Sequence, residues 1–122
     1  MSTQDQKMEI RPFAGHVRMM TAGYMVAETD NAVELREAGY PTVYYIPKSD
    51  IRMDIFTPSA TSTVCPHKGT ASYWSINAGN VHIDDAAWSY ETPLEQASAI
   101  AGHLAFSPEK IDAIESTSAG PA

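Results

Sequence analysis

The amino-acid sequence predicts a mainly β protein, α+β at most, with about eight short strands in a compact curled sheet or small β-sandwich. Three observations support this fold class. Short runs rich in β-branched and aromatic residues recur, and turns containing glycine or proline separate them at the spacing of all-β proteins. Only one segment carries the start and stop signals of a helix. The 122 residues are 43% hydrophobic, which is sufficient for one core.

The predicted strands follow one another between residue 16 and residue 90. Turn signals such as Pro47, Pro58 and the Ala78-Gly79-Asn80 run bound them. They cover residues 16–20, 24–28, 32–37, 42–46, 53–57, 62–65, 71–76 and 81–90, and residues 104–106 begin a last extended segment. In 32–37, Val33 and Leu35 alternate with charged side chains as in a half-buried strand, and a short helix is the alternative.

One short helix is predicted near residues 93–101. Thr92 is suited to the N-cap, Pro93 to the first helical position, and Glu95 completes a capping box with Thr92. Apolar residues then recur at three- and four-residue spacing, which predicts one buried face. Gly102 is suited to the left-handed residue that ends the helix.

Length and charge limit the class of protein. We predict one globular domain over residues 10–115, a frayed segment over 1–9 and a disordered tail over 116–122. The net charge of −7 argues against nucleic acid and an anionic membrane surface as partners. No apolar run is long enough to span a membrane. The single cysteine excludes an internal disulfide, so we expect a cytoplasmic protein.

The run from Cys65 to Trp74 concentrates reactive side chains at a turn. Cys65 is a candidate nucleophile or redox thiol favoured by the charge of Lys68, or else a small buried hydrophobic residue. Lys68 either binds an anionic group of a ligand or is solvated. Zinc-type pairs of cysteine or histidine are absent from the sequence, so we expect neither a metal nor a cofactor.

The strand over 81–90 predicts a pocket wall. Strict alternation would place His82, Asp84, Trp88 and Tyr90 on one face, a composition that suits a small-molecule pocket or the edge of a core. The adjacent Asp85 would face the other way, so the two aspartates would not clamp one Mg²⁺.

Two further blocks contribute candidates. One of the adjacent Tyr44 and Tyr45 is expected to turn its hydroxyl inward, and Glu37 is expected to pair with Lys68 or, as the bolder alternative, to act as a general base. If catalysis occurs, Lys68 or Cys65 is the candidate nucleophile, and Asp84 or Glu37 the acid/base. The complete predicted site for an unknown small molecule comprises Glu37, Tyr45, Cys65, Lys68, Tyr73, Asp84, Trp88 and Tyr90.

A second hypothesis is a protein-interaction module without catalytic activity. The exposed sheet, or the indoles of Trp74 and Trp88, would then contact a protein partner. A homodimer formed through a sheet edge is plausible for a domain of this size.

Five sequence blocks together resemble a widely bacterial family of unknown function, domain-of-unknown-function family 427. They are Leu35-Arg36-Glu37 with Gly39 and Pro41; Tyr44-Tyr45-Ile46-Pro47 with Asp50; Cys65-Pro66-His67-Lys68-Gly69 with Ala71 and Tyr73-Trp74; Ala87-Trp88-Ser89-Tyr90 with Pro93-Leu94; and Gly102-His103-Leu104-Ala105-Phe106. The resemblance implies a small single-domain, mainly β protein with one short helix. The family is sometimes labelled nucleotidyltransferase-like, so nucleotide handling is the third hypothesis.

Overall fold

Ten strands form most of the computed structural model, which describes residues 8–118. The strands are β1 (Met8–Pro12), β2 (Gly15–Thr21), β3 (Tyr24–Thr29), β4 (Val33–Glu37), β5 (Val43–Pro47), β6 (Phe56–Cys65), β7 (Gly69–Ala78), β8 (Val81–Ser89), β9 (His103–Phe106) and β10 (Ala113–Ser118). Short 3₁₀ turns occupy Lys48–Asp50, Met53–Ile55 and Glu95–Ile100. The mainly β class is confirmed. No helix among residues 8–118 has the length and apolar character required to cross a membrane.

The strands form two antiparallel sheets. Seven strands are arranged in the order β1-β4-β5-β9-β8-β7-β6, and three in the order β10-β2-β3. The main core lies between the sheets, where Val17 and Met19 of β2 pack with Leu104 and Phe106 of β9. β9 is the central strand of the larger sheet, and its Leu104, Ala105 and Phe106 are all buried because both faces of that sheet are covered.

Both ends of the described chain are more ordered than the sequence predicted. Residues 8 and 9 belong to β1, which pairs with β4, and residues 116–118 belong to β10, which pairs with β2. The predicted frayed start and disordered tail are therefore wrong over these residues. The rest of these two predictions concerns residues 1–7 and 119–122. Those residues lie outside the described part of the chain. The local composition does not predict these two strands, because each forms by pairing with a strand distant in the sequence.

The predicted helical segment is a 3₁₀ turn, and its capping box does not form. The turn begins after Leu94, which makes no side-chain cap, and Ala97 has non-helical dihedral angles. A segment this short gains little from helix propagation, so tertiary packing decides its conformation. It is fixed instead by burial, since Ala97 and Ile100 pack into a second apolar cluster on the other face of the large sheet.

The strands around Pro58 also differ from the prediction. Residues 53–55 form a 3₁₀ turn, and the strands predicted over 53–57 and 62–65 merge into the single strand β6. Pro58 is tolerated because β6 is an edge strand and its register with β7 is irregular between Pro58 and Ser62. Residues 33–37 form β4, so the helical alternative for this segment is wrong.

The small sheet contains a histidine between two carboxylates and a closely packed glycine. His16 lies between two carboxylates, with Nδ1 2.6 Å from Asp30 Oδ1 and Nε2 2.7 Å from Glu28 Oε2. Both hydrogen bonds raise the pKa of His16, and the bond to Asp30 has the larger effect. Gly15 faces β10 so closely that a Cβ atom there would lie 2.3 Å from the carbonyl oxygen of Thr117.

The large sheet is curled. Lys68, in the turn between β6 and β7, donates from Nζ to Glu37 Oε1 of β4 at 3.0 Å. In a flat sheet β4 and β7 would be about 19 Å apart, since neighbouring strands lie ~4.8 Å from one another. Lysine and glutamate side chains cannot span that distance. The sheet and its β6–β7 hairpin must therefore bend toward β4, which encloses the inner face.

Candidate functional site

An aromatic row crosses the inner face of the curled sheet. Strand register places Tyr73 of β7 opposite Trp88 of β8, and Trp88 opposite Ala105 of β9. The Trp88 indole Nε1 donates to the Tyr45 hydroxyl at 3.2 Å, and the Tyr73 and Trp88 rings are 6.4 Å apart between centroids. Tyr90 joins the same apolar cluster. The structure thus brings together the four aromatic residues that the sequence predicted for the site.

Burial raises the pKa of two of these phenols. Tyr45 is 1% exposed, and burial raises its pKa to about 12 although the hydrogen bond from Trp88 acts in the opposite direction. Burial also raises the pKa of Tyr90, and the nearby Tyr45 and Cys65 act in the same sense. Both hydroxyl groups are therefore neutral at physiological pH.

Lys68 is buried at a hairpin tip, a position where lysine is usually solvated. Lys68 as a whole is 8% exposed, and its Nζ forms the ion pair with Glu37 that the sequence predicted. The backbone fixes this geometry, because the Lys68 amide donates to the Cys65 carbonyl at 3.3 Å and the Lys68 carbonyl accepts from the Leu94 amide at 2.8 Å. Gly69, at φ +116°, lets the turn close against residues 92–94. Lys68 and Glu37 thus join the β6–β7 hairpin to β4, on the opposite side of the central strand β9.

Cys65 lies half-buried beside this pair. It ends β6 opposite Gly69 of β7 and packs against the cluster that contains Tyr45 and Tyr90. The thiol therefore lies with the other predicted site residues.

Asp84 lies apart from the aromatic row. Its side chain is 76% exposed and its carboxylate lies 2.8 Å from His82 Nε2. The physical reason is an irregularity in the β7–β8 ladder, where Trp74 pairs with Ala87 but Ile76 pairs with Ile83. Three residues of β8 oppose one of β7, and strict alternation fails.

Asp85 takes the place predicted for Asp84. Its backbone adopts φ +51°, which marks the irregularity, and its amide donates to the Ser75 hydroxyl at 3.1 Å. The carboxyl group turns toward β6, and hydrogen bonds from Ser59 and Thr61 lower its pKa. Asp85 is therefore ionised at neutral pH on the aromatic side of the sheet.

A groove of about 480 Å³ lies over this aromatic row. Its floor consists of Tyr73, Trp88 and Tyr90. The polar walls carry hydroxyl, carboxylate and amine groups, contributed by Thr61, Thr63, Asp85, Ser107, Glu109 and Lys110. Sequence reasoning missed the threonines, although the run of small hydroxylated residues in 57–63 was a signal of an exposed strand. The turn at 107–110 carried no signal beyond Pro108.

Lys110 is held at the rim of the groove. Its amine donates to the Asp84 backbone carbonyl at 2.6 Å, and its charge helps to lower the pKa of Asp85. On the wall formed by β6, the Thr63 hydroxyl and the Tyr73 hydroxyl are 3.2 Å apart. The groove therefore has fixed hydrogen-bonding groups on both sides of an aromatic floor.

Trp74 belongs to a different network that sequence reasoning missed. Its indole donates to the Ser89 hydroxyl at 3.0 Å, Ser89 donates to Glu91, and Lys48 Nζ lies 3.0 Å from Glu91 Oε1. Burial raises the pKa of Glu91, but the hydrogen bonds from Ser89 and Lys48 outweigh this effect and lower it overall. Lys48 Nζ also lies 5.3 Å from the Trp74 ring centroid. These contacts occupy both the indole N–H and one ring face.

Metal-ligating side chains do not converge among the described residues. Within 8–118, no three histidine, cysteine, aspartate or glutamate side chains are placed to hold one ion. Asp84 and Asp85 point to different partners, so they do not form a carboxylate pair.

Together, the two antiparallel sheets and the aromatic inner face define a small mainly β domain with a curled sheet. The model of one protein family, described as a domain of unknown function (DUF427), matches residues 9–117. The chain belongs to this family, which confirms the resemblance of its sequence blocks. A search of the curated proteins gave no match.

Proposed function

We propose that the protein binds a small polar molecule in the groove over Tyr73, Trp88 and Tyr90. One observation carries this proposal: aromatic rings and ionised or hydroxylated side chains from four separate segments line one groove of about 480 Å³. Small-molecule sites commonly have volumes of roughly 300–1,000 Å³ and combine an apolar floor with a few polar groups. The aromatic rings would contact the faces of the ligand, and the walls would bind its polar groups.

The charges of the walls favour a neutral or positively charged ligand. Asp85 and Glu109 contribute two carboxylates, and Lys110 contributes one amine that is already bound to a backbone carbonyl. Hydroxyl or amine groups of a ligand could donate to the carboxylates, and a cation would also be attracted to the aromatic faces. The net charge of −7 acts in the same direction over longer distances.

The backbone at Asp85 supports a functional role for this residue. Left-handed dihedral angles are unfavourable for residues other than glycine, and such strain is frequently found at ligand sites. The strained conformation turns the carboxylate into the groove, whereas regular alternation would have placed Asp84 there.

We do not place a chemical step in this site. Lys68 and Cys65 were the candidate nucleophiles, but the amine of Lys68 is held by Glu37 at 3.0 Å. Neither Lys68 nor Cys65 is among the residues that line the groove. Lys68 and Glu37 are therefore proposed to hold the hairpin in position. The Tyr45 hydroxyl holds the Trp88 indole by accepting its N–H hydrogen bond.

A thermal-shift screen tests the proposal. Neutral sugars and polyols, small amines, and nucleotides with and without Mg²⁺ would be added to the full chain, and a binder would raise its melting temperature. For any binder found, Asp85→Asn should weaken affinity by at least about tenfold, because it removes the charge that faces the ligand. Asp84→Asn is the matched control and should leave the affinity unchanged. Equal effects of the two substitutions would refute the assignment of the groove.

The two other hypotheses have less support from the structure. The large exposed hydrophobic residues Met25, Tyr40, Val64 and Leu94 belong to four different segments, and the hydrogen bond of Trp74 to Ser89 ties its indole to the domain. Nucleotide handling follows only from the family's short label, NTP_transf_9. Stabilisation by nucleoside triphosphates only in the presence of Mg²⁺ would favour it over the present proposal. The homodimer and the cytoplasmic location remain predictions.

A further inference from the structure

A second, smaller cavity lies between β5 and β9. The ladder between these strands pairs Ile46 with Leu104 and Pro47 with His103. Beyond these pairs, residues 41–44 on one side and Phe106 and Pro108 on the other line a cavity of about 130 Å³. The curled sheet is therefore split beside its central strand, and the split leaves a space between the two sheets.

The lining of this cavity is almost entirely apolar. Its inner end is formed by Met19, which is 1% exposed, and Phe106, which is 3% exposed. Val43 and Ile114 line its sides, and the exposed Pro41 and Pro108 stand at the surface. Because this lining offers few hydrogen-bond partners, the cavity is a poor site for ordered water.

We propose that this cavity binds a small apolar group, either a single aromatic ring or a branched alkyl chain. An apolar cavity of about 150 Å³ in another protein stays dry and binds benzene, so 130 Å³ has the appropriate size for one ring. Binding removes the ring from water and restores contacts that the cavity wall lacks. The exposed prolines leave a route by which a ring attached to a larger molecule could enter.

The cavity and the groove are separate sites with one common wall. Trp88 lines both, and the turn after β9 divides them, since Ser107 and Lys110 line the groove whereas Pro108 lines the cavity. The apolar site therefore does not require a ligand in the groove. A group bound in the cavity would nevertheless contact Trp88, which also lines the groove.

Methyl NMR with benzene as the probe tests the apolar site. Titration should produce saturable shifts in the methyl signals of Met19, Val43 and Ile114, while the exposed methyl groups of Met25 and Val64 remain unchanged. Shifts that increase without saturation, or that are equally large at the exposed methyl groups, would overturn the proposal.

Filling the cavity provides the second measurement. Thr42→Leu places additional apolar volume in the cavity wall and should weaken benzene binding by at least about tenfold. The matched control is Thr63→Leu, which lies on the groove wall and should leave benzene binding intact. Unchanged benzene affinity in a folded Thr42→Leu variant would refute the site.

Benzyl alcohol distinguishes the source of the apolar group. Binding at least as tight as that of benzene supports a ring attached to a larger polar molecule, and clearly weaker binding supports a free hydrocarbon. Asp85→Asn should not alter the affinity for either probe, so failure of the groove proposal and failure of this one give different results.

Discussion

The ion pair between Lys68 and Glu37 should stabilise the fold by joining distant parts of the curled sheet. At the observed separation of 3.0 Å, Coulomb attraction amounts to about 5–6 kcal/mol at an effective dielectric constant of 20. Desolvation of the two ions offsets much of this gain, because the side chains of Lys68 and Glu37 are only 10% and 22% exposed. The stability effect therefore depends on whether one or both charges are removed.

A double-mutant cycle separates these effects. Glu37→Gln leaves the more deeply buried Lys68 charge without a partner, so we expect a loss of about 3 kcal/mol in the free energy of unfolding. Lys68→Met leaves the more exposed Glu37 and should cost about 2 kcal/mol. The double variant removes both charges and should lose about 2 kcal/mol, which gives a coupling free energy of about 3 kcal/mol.

Urea denaturation at neutral pH measures the four free energies of unfolding. The matched control is the pair Arg52 and Asp54, whose N–O distance of 2.8 Å is shorter but whose side chains are 48% and 66% exposed. Its cycle should show no coupling beyond experimental error, because solvent screens exposed charges. A similarly small coupling for Lys68 and Glu37 would refute the idea that this pair holds the curled sheet together.

Three further predictions concern pH and packing. Because folded Tyr45 keeps its proton to about pH 12 and an unfolded tyrosine ionises near 10, stability should fall by about 2–3 kcal/mol as pH rises between these values; the slope should flatten in Tyr45→Phe when denaturation is measured along a pH series. The raised pKa of His16 gives stability that is present below pH 6.5 and lost as pH rises through the folded pKa; NMR titration of the ring should show this pKa, and a normal value would contradict it. Gly15→Ala should destabilise the protein by about 1–3 kcal/mol, because the new methyl group meets the backbone of Thr117; a thermal melt as high as that of the native protein would contradict the close packing of this edge.

The aromatic part of the site was predictable because it depends on a local rule. Side chains two residues apart in a strand share a face, and this rule alone predicts that Trp88 and Tyr90 lie together. The pairing of Glu37 with Lys68 followed from their opposite charges once both were expected to point inward. Seven of the eight predicted site residues lie together on this face or at its rim.

The remaining errors come from interactions between segments distant in the sequence. Asp85 replaces Asp84 because β7 and β8 have unequal numbers of residues at one point of their ladder, which the sequence of β8 alone does not reveal. The predicted capping box at Thr92 failed because burial of Ile100, and not helix propensity, fixes that segment. Strands β1 and β10 were missed for a related reason, since each pairs with a strand distant in the sequence, β1 with β4 and β10 with β2.

The manner in which the sheet is closed has a consequence for its local motions. A closed barrel is sealed by a ladder of backbone hydrogen bonds, whereas here the tip of the β6–β7 hairpin is fastened by one ion pair and by the bond between the Leu94 amide and the Lys68 carbonyl. Two such bonds can break while the β7–β8 ladder stays intact. The tip of the hairpin, residues 65–69, can therefore open locally, and its amide hydrogens should exchange with solvent well before those of β9.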